Sequence, residues 1–385
     1  MFLRIIFLIL LLGFAATISL GSIVKVVGDG HTLVLTSDGK VIGWGPCERG
    51  ELGPISAIPR IRGWATTFVE IKLPRKAIDV AAAGAASLAL LDDGTVFAWG
   101  FNYNDLLGTE VRSMLPSGAS GSEVPIMVPG LSDVTAISAG GQYVTALKRD
   151  GTVYVWGVGS KILGGDGKRP TQVPGASGIK QISTSSSHTM ALDQNGNVWT
   201  WGGSSYGQLG RITDIDKAAK VAGILGVISV ASGSGVSTVL KRDGTVWVWG
   251  SNWQAQFGNG KRTAQPVYGG LSNDIQTTPV QVPGVSNAVA LTSGVSGRHT
   301  IVLLKDGTLR GWGSSDWGQL GGGVSGGHQP SVMIPKLTGV KTIFAVNNNT
   351  YAIKTDGSVW IWGDASSVGF PLKTQAKVPV RFEGI

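Results

Sequence analysis

Apolar and polar positions alternate along most of the chain in short runs, each closed by Gly, Asp, Asn, Ser or Pro. VTAISAG at 134–140, HTMALDQ at 188–194 and TVWVWG at 245–250 are examples. A period of two is that of a strand with its side chains on alternate faces. No long stretch carries the 3.6-residue apolar stripe of an amphipathic helix. The pattern predicts an all-β chain rich in tight turns.

The runs recur in a fixed order. Seven times an Asp or Asn followed by Gly stands six positions before a Trp-Gly pair, at Asp38, Asp93, Asp150, Asn195, Asp243, Asp306 and Asp356. The matching tryptophans are Trp44, Trp99, Trp156, Trp201, Trp249, Trp312 and Trp362, 45 to 63 residues apart. A constant internal offset with variable spacing outside it marks a structural repeat. Each unit reads as an inner strand, a small-residue turn and a second strand. A two-residue Asp-Gly or Asn-Gly hairpin then leads to a third strand, a loop and a Pro-bearing fourth strand. Proline removes a ladder donor, so the fourth strand is expected at an outer edge. Four strands in each of seven units predict a seven-bladed β-propeller of antiparallel blades. The repeat tryptophans, and Ile42, Phe97, Tyr154, Trp199, Trp247 and Trp360 two positions earlier, are assigned to packing between blades. Arg310 interrupts that second row and is read as a solvated blade edge.

Composition agrees with this picture and narrows it. Hydrophobic residues make up 42% of the 385 and charged ones 15%, enough to build a core and too apolar for disorder. The 59 glycines follow no collagen period and read as turns. The first twenty residues, MFLRIIFLILLLGFAATISL, form an almost unbroken apolar run behind Arg4. They are expected to be a cleaved export signal over 1–21, leaving one propeller domain over 22–385 with no membrane insertion. An uncleaved anchor is the alternative. Cys47 is the only cysteine, so no internal disulfide is expected, and it is read as a solitary loop thiol. The net charge of +8 is scattered over many loops and gives little support for nucleic acid as a partner.

Two stretches carry a more specific likeness. GRHTIVLLKDGTLRGWGSSDWGQLG at 297–321 and SHTMALDQNGNVWTWGGSSYGQLG at 187–210 resemble the regulator of chromosome condensation repeat family, over essentially all of 23–385. The resemblance implies seven blades, in agreement with the count. With the leader, it suggests an exported, bacterial-type member. Residues 158–165 depart from Gly-Gln-Leu-Gly, as does SSVGFP at 366–371.

Little in the chain suggests reaction chemistry. GSSYG around Ser205 fits a nucleophile-elbow pattern but lies in a repeat loop with no helix after it. GGGVSG at 321–326 fits a phosphate-cradle pattern but opens no helix. His31, His188 and His299 occupy one repeat position in three separate units, while His328 is placed in a loop. Such a distribution is poor geometry for a metal, and the three are read as structural. No cofactor, metal or catalytic residue is assigned, and the chain is expected to be a non-enzyme.

Binding remains, and strand order says where. The inner turns and the loops between third and fourth strands share one face, with the Asp-Gly hairpins on the other. Residues 47–51, 101–105, 204–206, 252–256 and 315–317 form loops on the first face, and 141–143, 186–188, 296–299 and 347–349 form its turns. The candidate contact residues are Tyr103, Asn104, Tyr143, Tyr206, Trp253, Gln254, Arg298 and Trp317, because aromatic and Arg side chains dominate protein hot spots. The expected function is an exported, monomeric scaffold for a protein partner. A secreted β-lactamase inhibitor built on this propeller type gives the family a precedent. A glycan-binding propeller is the alternative, followed by nucleotide exchange on a small GTPase, the family's best-known eukaryotic activity.

Overall fold

The computed structural model describes residues 22–111, 113–214, 216–263, 275–296, 298–334, 337–364 and 375–382. The expected leader over 1–21 and the departing segment at 366–371 lie outside them. Seven four-stranded antiparallel sheets follow one another along the chain, each built from consecutive segments. Blade 1 uses Ile23–Gly28, Thr32–Thr36, Val41–Trp44 and Val69–Ile71. Blade 4, the most regular, uses Ile179–Thr184, His188–Asp193, Val198–Gly202 and Ala219–Lys220. The inner strand Val134–Gly140 coincides with the run read from the sequence. His328 begins the outer strand His328–Met333 of blade 6 and is not in a loop, because the preceding Gly-rich stretch turns early enough to pair His328 with Ser314.

Four of the seven outer strands carry the expected proline, whereas Val69–Ile71, Thr171–Gln172 and Ala219–Lys220 are short and carry none. Pro125, Pro279, Pro330 and Pro379 all lie in outer strands, and in blade 2 the register shifts across Pro125. The hairpins differ from expectation by one residue. In blade 2 Leu91 and Thr95 bracket a three-residue connection, with the Leu91 amide donating to the Thr95 carbonyl. Only Gly94 takes a positive φ. Asp93 instead accepts hydrogen bonds from the amide and hydroxyl of Thr95, which the pairs Asp150–Thr152, Asp243–Thr245 and Asp306–Thr308 repeat. The Asp-Gly-Thr sequence therefore works as a side-chain cap on a turn with a glycine exit.

All seven repeat tryptophans are buried, each filling the wedge toward the preceding blade. Five also donate to a main-chain carbonyl in that blade's loop. Trp99 reaches Glu51, Trp156 Leu106, Trp249 Gln208, Trp312 Gln256 and Trp362 Gln319, at 2.8 to 3.0 Å. Three of these carbonyls take a second hydrogen bond, from the hydroxyls of Ser87, Ser237 and Thr350. The same hydroxyls pair with Nε2 of His31, His188 and His299 in the preceding blade, at 2.6, 2.7 and 3.0 Å. The His-Thr, Trp-Gly and Gly-Gln-Leu-Gly signatures thus belong to one inter-blade clamp. Its last glycine cannot gain a side chain: a Cβ at Gly210 would sit 3.0 Å from the Trp249 indole nitrogen, at a φ of +70°.

Blade 3 lacks this clamp. The short helix Val158–Ile162 replaces its loop, and the Trp201 indole nitrogen is buried with no acceptor. The outermost strand of blade 7, Ala376–Arg381, pairs with its own blade. The ring therefore closes by packing and not by strand exchange. Val26, Val34, Val346, Tyr351 and Ile361 share one core cluster across the seam. Trp44 packs there against Phe68 and Phe382, with ring centroids 5.2 and 6.0 Å away.

Candidate protein-binding face

The loop face is built on a rule that the motif glutamines explain. Gln208 accepts the Tyr206 amide through its side-chain oxygen at 2.8 Å. Gln256 does the same for Gln254, and Gln319 for Trp317. In blade 1 Glu51 takes the place of glutamine and closes on Arg49. Each loop is thereby folded into a tight turn whose base is locked and whose tip residue contributes only its main chain. Tyr206 and Trp317 stand at such tips, 37% and 45% exposed.

Arg298 lies on the inner turn of blade 6. Its guanidinium stacks over Trp253, 4.4 Å from the ring centroid, within electrostatic reach of Tyr206 and Asp316. Tyr206 lies over the inner turn of blade 5, its ring 3.0 Å from where a Gly235 Cβ would stand. Tyr206, Trp253, Arg298 and Trp317 thus lie on the loop-face connections of blades 4 to 6, with Arg298 and Trp253 in direct contact. Trp253 is half-buried, because the loop's aromatic sits one place earlier than Tyr206 or Trp317 relative to the motif glutamine. Tyr103 is 56% exposed and belongs to another arc of the ring. There it stacks on Phe101, which also carries the Arg49 guanidinium, with the half-buried Asn104 beside it.

Two candidates are not contact residues. Gln254 is only 6% exposed, although its amide is held by Gln256 as those of Tyr206 and Trp317 are by their glutamines, because in this loop Trp253, one place earlier, takes the outer place. Tyr143 is 3% exposed and begins the strand Tyr143–Lys148, so it is not part of the preceding turn. Its ring packs against Gly159 of the replacement helix, where a Cβ would come within 2.6 Å. Burial pushes its phenol well above the usual tyrosine range. The signal that places it was available: Tyr143 lies thirteen residues before Trp156, as His31, His188 and His299 do before their own tryptophans. Cys47 is likewise buried, with Sγ donating to the Gly63 carbonyl, and burial raises its thiol pKa.

The histidines are spent on the clamp. Burial lowers His31 from 6.5 to about 4 and His188 to about 3, so both are neutral at pH 7. Arg310 is at a blade edge, donating to the Gly284 carbonyl. A central cavity of about 390 Å³ is lined by inner strands of all seven blades. On the loop face Asp29 bridges it, accepting from the Gly84 amide at 3.0 Å and the Ser296 hydroxyl at 2.9 Å. Inside it Lys25 and Asp79 pair at 2.5 Å. Each of these charges is engaged by the ring itself.

Comparison with known proteins agrees with the blade count. The family model for the RCC1-like domain matches residues 14–295. The human E3 ubiquitin-protein ligase HERC2 is 32% identical over 136 residues, 34% of this chain and 3% of that protein. The human regulator of chromosome condensation is 30% identical over 139 residues, 35% of this chain and 30% of that protein. The aligned region therefore spans a minor part of these curated relatives. Among solved structures, Prp20p from Saccharomyces cerevisiae superposes with a TM-score of 0.72 at 23% identity, covering 91% of this chain and 87% of that one. Human WBSCR16 gives 0.72 at 22%, covering 87% and 88%. At these identities the superpositions speak for the fold.

Proposed function

Because the chain belongs to the RCC1-like domain family, we propose that it is an exported, non-enzymatic scaffold holding a protein partner on its loop face. The observation that carries this reading is the loop face of blades 4 to 6, which bears Tyr206, Trp253, Arg298 and Trp317. Two of its aromatic rings are exposed at loop tips, and a guanidinium is laid on a third. Rigid aromatic and Arg side chains on locked turns supply large contact area at low entropic cost. Protein binding is also a property reported for a relative, since Prp20p is described with its binding to Gsp1p and histones. Export rests on the apolar leader at 1–21.

The test uses the immobilised mature chain, presented to its native envelope extract and culture medium, beside Tyr206→Ala/Trp317→Ala. The double variant is expected to lose the captured protein while its unfolding midpoint stays close to wild type, as exposed substitutions usually do. Capture unaffected by the double substitution refutes the reading. Binding to a glycan array that the same variant abolishes moves the ligand class to carbohydrate. Finding the chain in the cytoplasm with residues 1–21 intact removes export.

A further inference from the structure

Arg298 is unlike the other half-buried arginine of this face. Arg211 is surrounded by main-chain acceptors, donating to the carbonyls of Thr200 and Lys217 at 2.9 Å and of Leu209 at 3.1 Å. Arg298 touches no carbonyl or carboxylate among the described residues within hydrogen-bond or ion-pair distance, and its Nε is buried without a partner. Its one close contact is the Trp253 ring. The nearby Asp316 is committed to its own loop, accepting from the Ser314 hydroxyl at 2.9 Å and the Gly327 amide at 3.1 Å. The backbone of Arg298 is also held at a φ of +51°. The corresponding turn positions in blades 1 and 5 are Gly30 and Gly235, which reach positive φ without a Cβ penalty. A strained backbone, a desolvated cation and an unmade set of hydrogen bonds therefore coincide at one residue. The stack on Trp253 offsets part of this cost, but the hydrogen bonds stay unmade among the described residues.

We propose that Arg298 is the receptor for a carboxylate, supplied by an Asp or Glu side chain of a protein partner that also covers the exposed Tyr206 and Trp317 rings of the same face. This deepens the loop-face reading and rests on it. Trp253 covers one face of the guanidinium, and the terminal nitrogens present the end-on fork that a planar carboxylate takes. The chain's net charge of +8 favours the approach of an acidic partner. An acidic residue beside an apolar one would fill the fork and cover the exposed rings.

Two phage-displayed dodecapeptide libraries, one containing Asp and Glu and one lacking them, provide the probe. Each is selected on the wild-type chain, and the best binder is titrated against variants. The expected winners come from the first library, carry an acidic residue and fail to bind Tyr206→Ala/Trp317→Ala. Arg298→Gln should weaken them about tenfold or more, while Arg298→Lys, which keeps charge without the fork, falls between. Raising salt should weaken wild type more than Arg298→Gln. Binders that need Tyr206 and Trp317 but show no acidic preference, or that bind Arg298→Gln equally, overturn this inference and leave the loop-face reading standing. Binders indifferent to the aromatic pair, or no binders from either library, overturn both. Arg298-dependent binding of polygalacturonate in place of any peptide assigns the carboxylate to a sugar acid and refutes the protein source.

Discussion

The clamp histidines make the ring sensitive to mild acid, in a pH window above that of its capping aspartates. In the unfolded chain each histidine takes up a proton near pH 6.5. In the folded chain His31 resists protonation until about pH 4 and His188 until about pH 3. Between these limits the unfolded state holds more protons, so stability falls as pH falls. Each unit of depression is worth about 1.4 kcal/mol, giving about 3 kcal/mol for His31 and about 5 for His188. The slope from pH 6 to 4.5 is then about 2 kcal/mol per pH unit, large beside the 5–15 kcal/mol of a typical domain. The capping aspartates act lower: Asp93, Asp150 and Asp243 are held below their usual 3.8 by hydrogen bonds from the neighbouring threonine, so their contribution fades only below about pH 4. The assay is urea unfolding at pH 7, 6, 5 and 4.5 for wild type and for His31→Asn/His188→Asn. Asn349 occupies the same place in blade 7, so the substitution has a precedent in this ring. The variant is expected to be less stable at pH 7, where it lacks two inter-blade hydrogen bonds, yet to lose less stability than wild type between pH 6 and 4.5. A double variant that keeps the wild-type slope would refute the neutral-histidine clamp.

The tryptophan bonds permit an internal comparison. Trp249→Phe removes a donor to the Gln208 carbonyl, whereas Trp201→Phe removes an indole N–H with no acceptor, for nearly the same loss of volume. Urea unfolding should show Trp249→Phe costing about 1 kcal/mol more than Trp201→Phe; equal costs would mean the inter-blade hydrogen bonds carry no net stability. Cys47, buried and raised in pKa, should react with a disulfide reagent only as fast as the ring opens, and at once in urea. Rapid native labelling would contradict its burial.

The blades were legible because each carries the same punctuation. Seven Asp/Asn-Gly pairs and seven tryptophans at one offset leave almost no freedom in strand order, and proline marks the outer edges. What escaped was any role that depends on a neighbouring blade. His188 reads as an isolated polar residue until Ser237, forty-nine positions later, is seen to take its Nε2. Gln208 reads as a loop residue until its side chain is found closing the loop and its carbonyl holding Trp249. Tyr143 and Gln254 were misplaced for a related reason. Tyr143 shares its repeat column with His188 and is buried with it, whereas Gln254 shares the column of the exposed Tyr206 and Trp317 and yields the outer place to Trp253, one position earlier.

The same architecture explains why the fold is easier to identify than the partner. The clamp draws on the glutamine, the final glycine and main-chain groups of each loop, and asks of the tip only its amide. Arg49, Tyr206, Gln254 and Trp317 therefore occupy equivalent tips with no chemistry in common. A substitution at a tip leaves the wedge tryptophan and its carbonyl in place, so tips can change to suit a ligand while the ring remains recognisable. Arg298 is different in kind. It lies on an inner turn, with a backbone angle and a buried nitrogen that burden the ring it belongs to. A residue whose stack on Trp253 returns only part of that cost is best accounted for by what it binds.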